Sequence, residues 1–142
     1  MLMNFLKNQK GAAAIEFGIT IPILFVMVVC VINMGYVLMK ENELNSAVNA
    51  GFLHANKNAD NTAAISAAVS AATRLKPLTV SVTSFCSCSD GATLACNTFC
   101  SDHTVPGTYI KITASSTIKL YAPALFMTNP FPISATGTVR VK

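Results

Sequence analysis

Four cysteines in the second half of the chain have the spacing that most clearly permits chemistry. They form the pattern C-x-C-x7-C-x3-C and are Cys86, Cys88, Cys96 and Cys100. Four thiolates can bind zinc tetrahedrally, but the paired C-x2-C units of zinc ribbons are missing here. The same thiols can form two disulfides, in three possible connectivities. The pattern therefore favours disulfides over a metal site. A nested pairing, Cys86 with Cys100 and Cys88 with Cys96, suits a hairpin-like loop, but the spacing leaves the connectivity open.

The histidines do not form a recognisable catalytic group. The sequence has two, His54 and His103, and His103 follows Asp102 inside the cysteine segment. A Ser–His–Asp set could be assembled only by choosing among many serines, and no nucleophile elbow, phosphate loop or H-E-x-x-H pattern is present. We therefore predict a protein that is not an enzyme and that uses no cofactor.

An apolar run of membrane-spanning length lies near the amino end. It covers Ile19–Met39, which is 21 residues, and a spanning helix needs about 20. Lys7 and Lys10 precede it, so the positive-inside rule places the amino end in the cytoplasm and everything after Met39 outside. In a bacterium the outside is the periplasm, where disulfides can form. A secretory signal peptide is the alternative, but its apolar core is usually only about 7–15 residues long.

One polar residue lies at the edge of this apolar run and another lies within it. Glu16 is the only side chain between Ala12 and Met39 that is charged at neutral pH. Because a carboxylate at the bilayer centre costs about 2.5–3.5 kcal/mol, Glu16 indicates a partner or a process. Asn33 either forms a hydrogen bond across a helix–helix contact or is simply tolerated in the span.

Composition supports a membrane segment joined to one small domain. Hydrophobic residues make up 52% of the 142 residues and charged residues only 11%, which is too apolar for an ordinary soluble domain of this size. The net charge is +4, and the ten basic residues are spread along the chain. Nucleic-acid binding needs a clustered basic face, so we predict no nucleic-acid partner.

Periodicity predicts two helices followed by three strands. One long helix, residues 12–56, contains the apolar run and then an amphipathic part. A second, alanine-rich helix is capped by Asp60 or Asn61 and is stopped by Pro77. Alternating apolar residues then mark the strands: Leu78, Val80 and Val82; Ile110, Ile112, Ala114, Ile118 and Leu120; Ile133, Ala135, Val139 and Val141. The predicted fold class is α+β, with a small three-stranded antiparallel sheet packed against the second helix and the outer part of the first.

The connection between the second and third strands, residues 122–132, is unusually apolar for a loop. Its large apolar residues are Leu125, Phe126, Met127 and Phe131. They either cover the edge of the core or form a contact patch for a partner or for the membrane surface.

The segment Lys10-Gly-Ala-Ala-Ala-Ile-Glu-Phe17 resembles a type IV prepilin-like leader and the start of a mature pilin. The rest of the chain resembles the TadE-like pseudopilins of the tight-adherence (Flp) branch. The resemblance implies cleavage after Gly11 by a prepilin peptidase, so that Ala12 becomes the amino terminus and Glu16 the fifth residue. It also implies an aromatic after the glutamate, which is Phe17 here.

Cleavage after Gly11 would place two opposite charges close together. A new α-amino group at Ala12 would be positive, and Glu16 lies about one helical turn away. Glu16 could pair with its own amine or with a neighbour's, and in a low dielectric such pairing offsets much of the cost of burying either charge. The alternative is a carboxylate that snorkels at the cytoplasmic interface without any role in assembly.

The resemblance, together with the membrane-length helix, implies a minor pseudopilin, a structural and assembly component of a tight-adherence pilus or related secretion apparatus. Residues 1–11 would be the leader, 12–40 the single transmembrane helix and 41–142 a periplasmic domain anchored to the bacterial inner membrane. The expected partners are the prepilin peptidase, other pilins and pseudopilins, and inner-membrane assembly proteins. The alternative is a membrane-anchored binding or adhesion module that does not enter a fibre.

Overall fold

The computed structural model describes residues 9–121 and 128–141, with side chains from residue 15 onward. In chain order the elements are α1 (Gln9–Lys57), α2 (Thr62–Ala71), β1 (Leu78–Ser87), β2 (Thr93–Leu94), β3 (Gly107–Ile118) and β4 (Phe131–Arg140). The long first helix and the short second helix confirm the predicted order of elements. The helices pack together on one face of a single antiparallel sheet.

Helix α1 changes character at Asn33. Its residues from Ile15 to Ile32 are exposed on all sides except at Val29, which is half-buried, and almost all of them are apolar. From Asn33 onward, burial follows helical spacing along one stripe, as expected for a helix that packs on one side. The buried residues of this stripe are Asn33, Val37, Leu44, Ala47, Val48, Gly51 and Ala55. The helix is therefore a free apolar rod in its first half and part of a domain in its second.

Helix α2 begins where the sequence predicted. The side chain of Asn61 accepts a hydrogen bond from the backbone N–H of Ala64 at 2.9 Å, which makes Asn61 the N-cap. Ile65 and Val69, one turn apart, are fully buried and face α1 and the sheet. The helix ends at Ala71, well before Pro77, so the prediction that Pro77 stops it was wrong.

The sheet has four strands in the order β2-β1-β3-β4, and the predicted three-stranded sheet was one strand short. The additional strand, β2, lies inside the cysteine segment and pairs with the end of β1. A tight turn makes this pairing possible: Gly91 has φ of 86°, its N–H donates to the Cys88 carbonyl, and the Asp90 carboxylate accepts from the Ala92 N–H. Glycine adopts this left-handed conformation without steric cost.

The core lies between the sheet and the two helices. Alternate residues of the central strand β3 point into it, with Ile110, Ile112 and Ala114 fully buried. Ser116 continues the same face, and its hydroxyl donates to the Pro77 carbonyl at 2.7 Å, which satisfies a buried polar group. The opposite face of the sheet is exposed and rich in serine and threonine.

Two glycines let α1 approach the rest of the core closely. A Cβ atom at Gly51 would lie 2.6 Å from Val69 Cγ2 and 3.0 Å from Ile112 Cδ1. A Cβ atom at Gly137 of β4 would lie 2.5 Å from Phe52 Cζ. The same end of α1 thus contacts α2, β3 and β4 at distances that leave no room for a methyl group.

The second half of α1 (from residue 33), α2 and the sheet form one domain, called the outer domain below. We predict that Gly51→Ala destabilises it by about 1–2 kcal/mol. Overpacking a filled core costs about 1–3 kcal/mol, and the higher helix propensity of alanine returns up to about 1 kcal/mol. Thermal unfolding of the full chain in detergent, followed by circular dichroism, measures the difference.

Gly35→Ala is the matched control for Gly51→Ala. It makes the same change in the same helix, but a Cβ atom at Gly35 has nothing within 4 Å among the described residues. We expect no loss of stability for this variant. Equal melting temperatures for the two variants would contradict the close packing at Gly51.

Candidate functional site

The residues predicted for processing lie in the first turns of α1. The structure describes the backbone of Gly11 and Ala12, which is helical, but not the side chain of Ala12. Glu16 follows Ala12 by four residues, which is about 6 Å along a helix axis. The side chains of Glu16 and Phe17 are both exposed, and Phe17 is 69% exposed. The helical backbone thus places Glu16 one turn beyond the predicted new amino terminus.

The first half of α1 presents an apolar surface on every side. Across residues 9–121 and 128–141, α1 is the one helix long and apolar enough to cross a membrane, and none of its most apolar stretch is buried. The hydroxyl of Thr20 donates to the Glu16 carbonyl at 2.7 Å, so this polar group has a hydrogen-bond partner within the helix. Such a surface can be covered by lipid or by the helices of other subunits.

Glu43 connects the first helix to the segment that follows α2. One carboxylate oxygen accepts from Lys40 Nζ at 2.8 Å, and the other accepts from the Thr73 hydroxyl at 2.9 Å and the Arg74 N–H at 3.2 Å. These donors, with Lys40 contributing most, lower the pKa of the Glu43 carboxyl below its ordinary value. The carboxylate therefore remains charged at neutral pH and holds the end of α2 against α1.

The four predicted cysteines form two disulfides, as the sequence indicated. The pairs are Cys86–Cys96, with Cα atoms 5.1 Å apart, and Cys88–Cys100, with Cα atoms 5.9 Å apart. The bridges interlace, so the nested pairing that suited a hairpin was wrong. Of the residues described, no three or more His, Cys, Asp or Glu side chains are grouped to hold a metal ion.

The strand register explains this pairing. Cys86 and Cys88 follow each other at a spacing of two, so both point to the buried side of the sheet edge. Cys86 lies opposite Leu94 in the ladder, and Cys96 follows Leu94 by two residues. The β1–β2 hairpin therefore brings Cys96 to Cys86 and leaves Cys100 for Cys88.

Asp102 and His103 form part of a turn in the same loop. The Asp102 carboxylate accepts from the Thr104 hydroxyl at 2.6 Å, from the Thr104 N–H at 3.1 Å and from the Ser89 hydroxyl at 3.4 Å. These bonds lower the pKa of the Asp102 carboxyl, and the bond from the Thr104 hydroxyl has the largest effect. His103 has φ of 62° within this turn, while His54 is exposed on α1. The two histidines thus lie on different elements of the described structure, His54 on α1 and His103 in the connection between β2 and β3.

The disulfide loop, residues 88–106, also exposes apolar residues that sequence reasoning did not single out. Phe99 is 68% exposed and Val105 is 72% exposed, and both lie beside Pro106 in a shallow surface depression. The sequence signal that could have identified them is the presence of large apolar residues within the cysteine pattern or just after it. This loop gives the end of the domain a small apolar surface.

The apolar connection between β3 and β4 is only partly described. Leu125, Phe126 and Met127 lie outside the described residues. Phe131 is the first residue of β4, pairs with Ile118 and packs half-buried against the core. Of the two predicted roles, covering the edge of the core and forming a contact patch, the structure supports the first for Phe131.

The sequence did not predict that the outer domain reaches the apolar run of α1. Asn33 is completely buried although it lies within the apolar run. One turn further, the ring of Tyr36 meets that of Tyr121 edge to face, with centroids 4.8 Å apart. The outer domain therefore extends alongside the last turns of the predicted membrane span.

Comparison with known proteins agrees with the resemblance seen in the sequence. The model of the TadE-like protein family matches residues 11–52. This range begins at the predicted cleavage glycine and ends in the close-packed part of α1, so it covers the rod and its junction with the domain. No curated protein and no solved structure matches the chain. The match supports a TadE-like protein over the first helix.

We predict that removing the two bridges one at a time reveals their interlaced connectivity. The double variant Cys86→Ser/Cys96→Ser should keep the other bridge, so that Cys30 remains the single thiol that reacts after denaturation without reductant. Each bridge closes a short loop worth about 3 kcal/mol, so melting should also occur at a lower temperature. Thiol alkylation and mass spectrometry count the free cysteines.

The mismatched double variant Cys86→Ser/Cys100→Ser is the control. It breaks both bridges of the structure, so Cys88 and Cys96 should become reactive as well. The opposite result, a protected pair in this variant and free thiols in the first, would favour the nested connectivity.

Proposed function

We propose that this chain, TadE-like over residues 11–52, is a minor pseudopilin of a tight-adherence (Flp-type) pilus or a related secretion apparatus. It serves as a structural and assembly component and is not an enzyme. Residues 12–40 anchor it in the bacterial inner membrane, with the amino end in the cytoplasm and residues 41–142 forming the periplasmic domain.

The observation that carries this proposal is the unburied apolar rod at the front of a folded domain. Within residues 15–32, Val29 is half-buried and the other residues are exposed, so this part of α1 contributes almost nothing to the core of the domain. Since an all-round apolar helix must be covered by lipid or by similar helices, the rod suits both membrane anchoring and lateral packing between subunits. The same α-helix continues from the rod into the core, so the rod and the domain share one element.

Processing by a prepilin peptidase would complete this rod. Cleavage after Gly11 removes Lys7 and Lys10 and leaves the positive α-amino group of Ala12 at the end of the helix. Glu16, one turn away and exposed, is then placed to pair with that amine or with the amine of a neighbouring subunit. In an assembly this single carboxylate would fix the axial register between helices whose remaining contacts are apolar and non-directional.

The second candidate is a membrane-anchored binding or adhesion module. The exposed Phe99 and Val105 on the disulfide loop favour it, because such residues suit recognition of an external partner. Leader cleavage distinguishes the two functions, since a simple anchor does not require a new amino terminus.

We predict that Gly11→Ala slows leader removal. A peptidase pocket fitted to glycine would lose about 1–3 kcal/mol to one added methyl group, so processing should slow by about tenfold or more. Expression with a prepilin peptidase, followed by gel electrophoresis and amino-terminal sequencing, measures the uncleaved fraction, which retains residues 1–11.

Gly18→Ala serves as the control for processing. It is the same change in the same helix, at a position where a Cβ atom has nothing within 4 Å among the described residues. The parent and this variant should both begin at Ala12. A parent chain that keeps its first eleven residues in the presence of the peptidase would argue for the simple anchor.

We predict that Glu16→Gln leaves cleavage intact but reduces association with other pilins. Removing one partner of an ion pair in a low dielectric costs about 3 kcal/mol or more, which corresponds to about a hundredfold in affinity. The measurement is co-purification of the processed protein with a tagged pilin of the same apparatus, from membranes dissolved in mild detergent.

Glu41→Gln is the matched substitution for Glu16→Gln. Glu41 lies on the same helix beyond the apolar run, where it is half-exposed. It should not change co-purification. If both variants associate as strongly as the parent, Glu16 is an interfacial carboxylate without a role in assembly.

A further inference from the structure

The outer domain has two ends, and the structure defines which of them faces the apolar rod. At Gly51, α1 lies against Ile112 in the middle of β3. Fifteen residues earlier, at Tyr36, it meets Tyr121 just beyond the end of β3. Strand β3 therefore runs back along α1 toward the apolar half. The disulfide loop joins β1 to the start of β3 and so lies at the opposite end of the domain.

The end near Tyr121 overlaps the predicted span in depth. The apolar run continues to Met39, but the buried stripe of α1 already begins at Asn33, which is fully buried. From Asn33 to Met39 is about 9 Å along a helix axis. The wholly unburied part, residues 15–32, is about 27 Å long, close to the thickness of a bilayer's hydrocarbon core. A membrane that covers this part meets the outer domain at Asn33.

The side chains at this end have the chemistry of a membrane–water interface. Tyr121 is 76% exposed and stacks edge to face on Tyr36. Lys40 Nζ lies 5.9 Å from the centre of the Tyr36 ring and bonds to Glu43, while Lys119 is exposed two residues before Tyr121. Tyrosines occupy the headgroup level because their rings are apolar and their hydroxyls are polar, and lysines there reach lipid phosphates.

We propose that this end of the domain, defined by Tyr36, Lys40, Lys119 and Tyr121, lies in the headgroup layer of the outer leaflet and binds phospholipid headgroups. The inference rests on the proposed function, because it requires the rod to span the membrane. The contact would hold the domain at one height and tilt before assembly, and withdrawing the subunit into a fibre would have to break it.

The chain offers a clean test because it contains no tryptophan. Three single-tryptophan variants of the full chain, each replacing an aromatic residue, report three depths: Tyr121→Trp at the proposed interface, Phe25→Trp in the rod and Phe99→Trp on the disulfide loop. They are reconstituted into vesicles of phosphatidylethanolamine and phosphatidylglycerol. The vesicles contain quenching lipids that are spin-labelled either near the headgroup or near the end of the acyl chain.

We expect the tryptophan fluorescence of the Tyr121→Trp variant to be quenched at least about twofold more by the shallow label than by the deep one, as for an interfacial aromatic. The Phe25→Trp variant should respond mainly to the deep label and the Phe99→Trp variant to neither. Lys119→Trp is a second probe of the same end if the Tyr121→Trp variant does not fold, as judged by circular dichroism.

The outcomes separate this inference from the proposed function. Quenching of the Phe25→Trp variant together with none at positions 121 and 119 would overturn the headgroup contact and leave the anchor intact. Such a result would leave this end free for another subunit. Absence of quenching in the Phe25→Trp variant would overturn the spanning rod, and the headgroup contact with it.

Discussion

The continuity of α1 is the constraint on which the rest of the structure depends. One helix, Gln9–Lys57, is both an apolar rod and a core element, and it changes from one to the other at Asn33. Because the helix does not bend away into a linker, the outer domain has to be built directly on its second half. The glycines at 51 and 137 serve that requirement, since side chains of the facing elements pack directly against their backbone.

The polar interactions of the domain hold its segments around this helix. Glu43 ties the end of α2 to α1, and the Ser116 hydroxyl ties β3 to the segment before β1. At the other end, two interlaced disulfides hold a loop that has little apolar core beneath it. Within residues 88–106 only Cys88, Cys100 and Pro106 are buried, so the bridges supply stability that side-chain packing does not.

Sequence periodicity predicted most of the fold because its strongest signals are long. The 3.6-residue stripe of α1 and the alternation in β1, β3 and β4 each extend over many residues, and burial in the structure follows them. The fourth strand was missed because it has two residues, and its real signal was the Ser89-Asp90-Gly91 turn before it. The disulfide connectivity could not be predicted, since it depends on the register Cys86 to Leu94 across that hairpin.

Asn33 shows a different limit of sequence reasoning. Within an apolar run, an asparagine indicates either a contact between helices or tolerance, and neither alternative anticipates that the buried stripe of α1 begins at this residue. The reach of the outer domain to this depth is a tertiary property, since Tyr121 beyond the end of β3 meets Tyr36, one turn from Asn33.

Under the proposed function, the apolar rod creates a problem of specificity that one carboxylate can solve. Moving a lipid-covered helix into a bundle of similar helices exchanges one apolar contact for another, so hydrophobic burial contributes little net free energy. Apolar contact alone would also permit many axial positions, because most of the exposed side chains from Ile15 to Ile32 are aliphatic or aromatic. A charge pair has a steep distance dependence in a low dielectric, so Glu16 and a neighbouring amine would favour one position over the rest. The register of the assembly would then depend on the least apolar residue of the rod.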